Sequence, residues 1–106
     1  MSFDNNLISD AFKAFGSEAP AQATAWMTLV QSLAAASALD EKTSELAYVA
    51  VLAALGHLDG IPFHVTTALA KGASREEIIS AILVGLPAAG HGVTQALPRA
   101  LEILNG

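Results

Sequence analysis

The sequence predicts an all-α fold of about six helices, and three observations carry that expectation. Apolar residues recur three and four apart through most of the chain, the period of one helix face. No run alternates apolar and polar residues as a half-buried strand requires. Gly and Pro fall mostly between the apolar stretches, where they start and stop helices.

Phe3, Leu7, Ile8, Ala11, Phe12 and Phe15 share one helical stripe, with Asp4 as the expected N-cap and Gly16 as the stop. The stripe reads as a lid on the core. Ser17–Ala19 reads as a linker, and Pro20 opens a second helix carrying Trp26, Met27, Val30, Leu33 and Ala34 at helical spacing. Trp26 and Met27 could line a ligand pocket, but core or interface is the favoured reading of such a pair. Ala36–Leu39 is a connection and Asp40 the next N-cap. Leu46–Leu55 carries no charge, so the third helix is expected to be apolar on every face, buried all round and central. Glu45 sits near its start, where the helix dipole favours a negative charge.

The stretch Gly56-His57-Leu58-Asp59-Gly60 breaks that helix, and Pro62 opens the fourth, with His64 in its first turn and Gly72 past its end. Ser74-Arg75-Glu76-Glu77 is a capping box ahead of the stripe Ile78, Ile79, Ile82, Leu83 and Leu86. Pro87 and Gly90-His91-Gly92 end or kink it. Val93, Leu97, Ala100, Leu101 and Leu104 form the last helix, with Pro98 as a point of bending.

At 106 residues the chain is expected to form one domain, 1–106. Only 14% of its residues are charged while 53% are hydrophobic, against about 25% charged in ordinary globular chains. A small domain has much surface for its volume, so apolar surface covered by other copies, a homo-oligomer, is the simplest resolution. An Ala-rich monomer is the alternative. The net charge is −5, and Lys13, Lys42, Lys71, Arg75 and Arg99 are scattered, so neither nucleic acid nor an anionic membrane is an expected partner. The start MSFDNN lacks the cationic and apolar regions of a signal peptide, and Leu46–Leu55 is about half the ~20 residues of a membrane span, so a cytoplasmic protein is expected. The chain has no cysteine, which excludes disulfides, thiol catalysis and thiolate metal sites.

Few polar residues lie beside the apolar helix: Glu45, His57, Asp59, His64 and His91. Of these, Glu45, His57, Asp59 and His64 are the candidate catalytic set. Imidazole is the side chain best suited to exchange protons near neutral pH, so His64 could serve as a base or donate to a developing oxyanion. It could equally tie down the start of its helix. His57 and His64 are seven residues apart across a chain break rather than four apart on one helix, so no metal is expected. There is no Gly-rich phosphate loop, and no cofactor is expected; the partner is a small-molecule ligand or substrate.

The stretch from Leu39 to Gly92 resembles the carboxymuconolactone decarboxylase family, which includes the alkylhydroperoxidase D-like proteins. The matching residues are Leu39-Asp40-Glu41-Lys42, Glu45-Leu46, Ala53-Ala54-Leu55-Gly56, Phe63-His64-Val65, Ala68-Leu69, Lys71-Gly72-Ala73, Glu76-Glu77-Ile78 and Ala89-Gly90. The resemblance implies an alkylhydroperoxidase D-like helical fold assembled as a trimer or hexamer. The peroxidase branch carries a Glu, two Cys and a His; here Glu45 and His64 stand at the matching spacing, but His57 and Gly60 occupy the Cys positions. Thiol peroxidase activity is therefore not expected, because neither side chain supplies the thiolate that attacks peroxide or the thiol that resolves a sulfenic acid. The decarboxylase branch also lacks the Cys pair. The resemblance to it gives His64 the proton-transfer role with Glu45 in support, in a cofactor-free lyase or isomerase acting on a small organic acid or lactone. The substrate of that branch is multiply anionic, whereas this chain is acidic and its elbow holds no Arg, so only Arg99 or a neighbouring subunit's cation answers such a charge. The alternative is a binding or scaffold protein that keeps the fold without the chemistry.

Spacing alone sets a geometric expectation for the pair. Glu45 and His57 are twelve residues apart, about 18 Å along a straight helix, and an antiparallel fourth helix returns only about 6 Å of that by His64. On this count the two meet only if the helices cross steeply, if the helix breaks, or if Glu45 comes from another subunit.

Overall fold

A computed structural model describes residues 7–106. Among the described residues the chain is all-α, with no strand, and six helices of nine residues or more are joined by one four-residue helix and two 3₁₀ turns. The helices are α1 (Asp10–Glu18), α2 (Pro20–Ala36), α3 (Glu41–Leu55), α4 (Ile61–Ala70), α5 (Arg75–Leu83), α6 (Leu86–Ala89) and α7 (Ala96–Leu104). No helix among them is long and apolar enough to cross a membrane. The chain divides into two compact units, one up to Asp40 and one from Glu41 to Gly106.

In the first unit the expected cap Asp4, like Phe3, lies outside the described residues. Ser9 caps α1 instead, its hydroxyl accepting from the Phe12 N–H at 3.1 Å. Gly16 does not stop α1, which runs on to Glu18, so Ser17 and Glu18 belong to the helix rather than a linker. Pro20 supplies the stop. Its ring disfavours the helical region for the residue before it, and Ala19 accordingly sits at φ −136° and ψ 59°. Pro20 then occupies the first turn of α2, as expected. The rings of Phe12, Phe15 and Trp26 meet edge to face with centroids 5.4–6.5 Å apart. No residue of α2 is buried, so Trp26 and Met27 are not core.

The second unit holds the core. Val49, Leu52 and Ala53 of α3 pack with Ile61, Val65 and Ala68 of α4, Ile78 and Ile82 of α5, and Val93, Ala96 and Ala100 at the C-terminal end. The third helix is not buried all round. One stripe is covered, while Tyr48, Val51 and Leu55 on its other faces are 45, 52 and 62% exposed. Its main neighbours in this unit, α4, α5 and the turn His91–Gln95, leave those faces uncovered.

Two glycine-ended helices fix the turns around α4. After α3 the Gly56 N–H bonds to the Ala53 carbonyl (3.3 Å) and the His57 N–H to the Leu52 carbonyl (2.9 Å), with Gly56 at φ 72°. After α4 the Gly72 N–H bonds to Leu69 and the Ala73 N–H to Ala68, both at 3.0 Å, with Gly72 at φ 97°. These are Schellman endings, and the left-handed residue costs an L side chain about 1–2 kcal/mol. Gly72→Ala is therefore expected to lower stability by about that amount, read as a shift in urea midpoint with unchanged slope.

The capping box forms as expected: the Ser74 hydroxyl accepts from the Glu77 N–H at 3.0 Å and Glu77 accepts from the Ser74 N–H at 2.9 Å. That backbone bond, then the Lys42 ammonium at 3.1 Å, holds the Glu77 carboxyl below its usual pKa. A lowered folded pKa stabilises above the unfolded value, near 4.5, and the contribution is lost as pH falls through the folded value. Glu77→Gln should thus flatten this part of the acid limb of stability below about pH 4.5, measured by urea unfolding across that range. Pro87 does not end α5, which stops at Leu83; it lies in the first turn of α6, where a missing N–H costs nothing. Val93 lies in the 3₁₀ turn ahead of α7, and Pro98 falls in the first turn of α7 for the same reason.

Candidate active site

The α3–α4 hairpin builds the site from two matched stripes. Glu41, Glu45, Tyr48 and Leu52 repeat at helical spacing on α3, and Gly60, His64, Thr67 and Lys71 repeat at the same spacing after the elbow. Antiparallel packing pairs them rung by rung. A methyl group on the Gly60 Cα would sit 3.1 Å from the Leu52 Cδ1, so the chain is already at the level of Leu52 there. One turn on, the His64 ring lies over the Tyr48 ring, centroids 4.3 Å apart and planes tilted by 32°. The His64 Nδ1 is 2.9 Å from the Glu45 Oε2. At the far end the Lys71 Nζ is 2.7 Å from the Glu41 Oε2.

Glu45 and His64 therefore meet within one chain, without the broken helix or second subunit that spacing alone suggested. The straight-helix count placed the end of α3 at His57. In the structure α3 ends at Leu55, and the 3₁₀ turn Leu58–Gly60 spends its residues coming back along α3. His64 thus descends from the level of Leu52, and about 6 Å of descent brings it to Tyr48, within side-chain reach of Glu45.

Both side chains of the pair are 23% exposed, so the pair is largely but not fully covered. With Glu45 ionised and the imidazole neutral, the Nδ1–H tautomer of His64 donates to it and the lone pair lies on Nε2. No hydrogen bond among the described residues engages that second nitrogen. The Phe63 ring stands edge-on to the imidazole, centroids 5.1 Å apart at 72°. A carboxylate on one imidazole nitrogen, with no bond on the other, is an arrangement compatible with acid–base chemistry and equally with a structural ion pair.

The other two candidates are not bonded to the pair. Asp59 is exposed, and its Oδ1 is 3.4 Å from the Nη1 of Arg99, whose Nε is also 3.9 Å from Glu102. His57 is exposed directly after Gly56. Among the described residues no hydrogen bond or ion pair joins either to Glu45 or His64. His91 is exposed in the second 3₁₀ turn. No three His, Asp or Glu side chains among the described residues could hold a metal ion.

Sequence reasoning missed Tyr48, Lys71 and Glu41 as neighbours of the pair. The signal was present: Tyr48 is three residues from Glu45 and Glu41 four, while Lys71 is seven from His64, all positions of one helix face. The Glu41 hydrogen bond and charge, with a smaller push from the charge of Glu45, hold the Lys71 ammonium above its usual pKa.

Neither a curated protein nor a solved structure matches the chain. A model of the carboxymuconolactone decarboxylase family matches residues 20–104, which include α2 through α7 and both members of the Glu45–His64 pair. The chain belongs to the carboxymuconolactone decarboxylase family.

Proposed function

We propose that the Glu45–His64 pair transfers protons on a small organic acid or lactone, making the protein a cofactor-free lyase or isomerase. One observation carries the reading: the 2.9 Å bond from a partly exposed imidazole to a carboxylate on the neighbouring helix. Glu45 fixes the tautomer and supports the imidazolium, and Nε2 takes the proton from a carbon beside a carbonyl and delivers it to the enolate carbon. The absence of cysteine leaves thiol peroxide reduction without a nucleophile. Exposed apolar side chains such as Val51, Leu55 and Val84 support a homo-oligomer as the working form, and the family resemblance implies a trimer or hexamer.

A second reading has its own support. Lys42–Glu77 and Lys71–Glu41 also tie α3 to its neighbours through ion pairs. Glu45–His64 would then be a third such tie in a binding or scaffold protein. Deuterium incorporation into unsaturated lactones and keto acids in heavy water, followed by proton NMR, separates the two. Exchange that depends on His64 supports the enzyme, and exchange equal in the protein and its His64→Ala variant sinks it.

A further inference from the structure

We propose that this site takes an uncharged, flat, unsaturated substrate of the lactone type rather than one bearing carboxylates. The proposal rests on the proton-transfer reading of Glu45 and His64 and narrows it.

Charge comes first. From Glu41 onward the cations are Lys42, Lys71, Arg75 and Arg99. Each is engaged within the chain: Lys42 on Glu77 at 3.1 Å, Lys71 on Glu41 at 2.7 Å, Arg75 on the Asn105 Oδ1 at 2.6 Å, and Arg99 on Asp59 at 3.4 Å. Lys71 belongs to the same stripe as His64, and two carboxylates, Glu41 and Glu45, act on it. With the imidazole neutral, Glu41, Glu45 and Lys71 together carry one net negative charge. A substrate carboxylate at Nε2 would face that field, and three of the four cations of this unit, Lys42, Lys71 and Arg99, are already paired with carboxylates while Arg75 is held on the Asn105 amide. Arg99, the cation that sequence spacing offered for an anionic substrate, is spent on Asp59 and Glu102.

Surface chemistry points the same way. The Tyr48 and Phe63 rings both pack on the imidazole and Tyr48 is 45% exposed, so aromatic surface adjoins His64. Such a face suits a flat π-system.

The chemistry then closes without further reagents. A C–H bond beside the lactone carbonyl breaks, its electron pair enters a dienolate, and the proton forms the Nε2–H bond of an imidazolium paired with Glu45. The same proton returns to another carbon of the dienolate, and the ring nitrogen regains its lone pair. Nothing is oxidised, reduced or released, so the product is an isomer.

The full-length protein, labelled with ¹⁵N at histidine, tests the proposal with two matched probes, coumarin and coumarin-3-carboxylate, reading the His64 Nε2 resonance. Coumarin should half-saturate the shift at a concentration at least about tenfold lower than its carboxylate. Glu41→Gln, which releases Lys71, should tighten coumarin-3-carboxylate severalfold and leave coumarin unchanged. Equal or tighter binding of the carboxylate at His64 overturns the substrate class while the site stands. No response of Glu41→Gln overturns the charge argument. If neither probe moves the His64 resonance, the site itself is wrong and the proposal falls with it.

Discussion

Replacing His64 with alanine should lower the rate of lactone deuterium exchange by about 10²–10⁴-fold, the usual contribution of a positioned acid–base group. The substitution removes the only imidazole of the hairpin interface bonded to Glu45. It should cost little stability, because the Glu45 carboxylate left behind is already 23% exposed and can rehydrate. The expected signature is a lost rate with a nearly unchanged urea midpoint. Glu45→Gln refines the result. The amide keeps the shape and one hydrogen bond but no longer fixes the tautomer or balances an imidazolium, so a smaller loss of rate is expected. A lost midpoint with a retained rate in His64→Ala would reverse the assignment, making the pair a structural tie.

The second large effect lies in the core. Ile82 is fully buried in α5 among Val49, Val65, Ile78 and Ala100 of the same cluster. Ile82→Ala should cost about 2–5 kcal/mol, the lost transfer energy plus the cavity left behind. Small domains hold only about 5–15 kcal/mol in total, so the urea midpoint should fall by a large fraction. Val84→Ala, two residues on but 68% exposed, is the control and should stay within about 0.5 kcal/mol. Similar shifts in the two variants would mean that α5 faces the core by a different stripe.

The sequence was most legible where the chain changes direction. Gly56, Gly72 and the Ser74–Glu77 box announced turns that the backbone makes, because left-handed residues and caps act locally. The all-α class followed from the absence of alternation. Burial was harder to read. The uncharged run Leu46–Leu55 is rich in Ala, which is at home on either side of a surface, so the run concealed that only Val49, Leu52 and Ala53 face the core. The C-terminal end of α1 was misplaced because Gly16 is tolerated inside a short helix while Pro20 acts one residue ahead of itself. Glu45 and His64 were singled out among the few polar residues beside the apolar helix and paired with each other through family resemblance. Counting rises along a straight helix argued against their meeting, because the count could not see where the elbow begins its return. Tyr48 and Lys71 remained unseen until the two stripes were set side by side.

The way Gly60 nests against Leu52 makes the number of residues between Glu45 and His64 part of the machinery. Each residue added to or removed from the elbow would turn α4 by about 100° and slide it by about 1.5 Å. The helix itself could survive such an edit, since the core stripe of α4 could seek a new register. The imidazole would then point away from its carboxylate with every side chain of the site still present. The segment 56–60 therefore behaves as a spacer of fixed gauge, whose length sets the register of the pair.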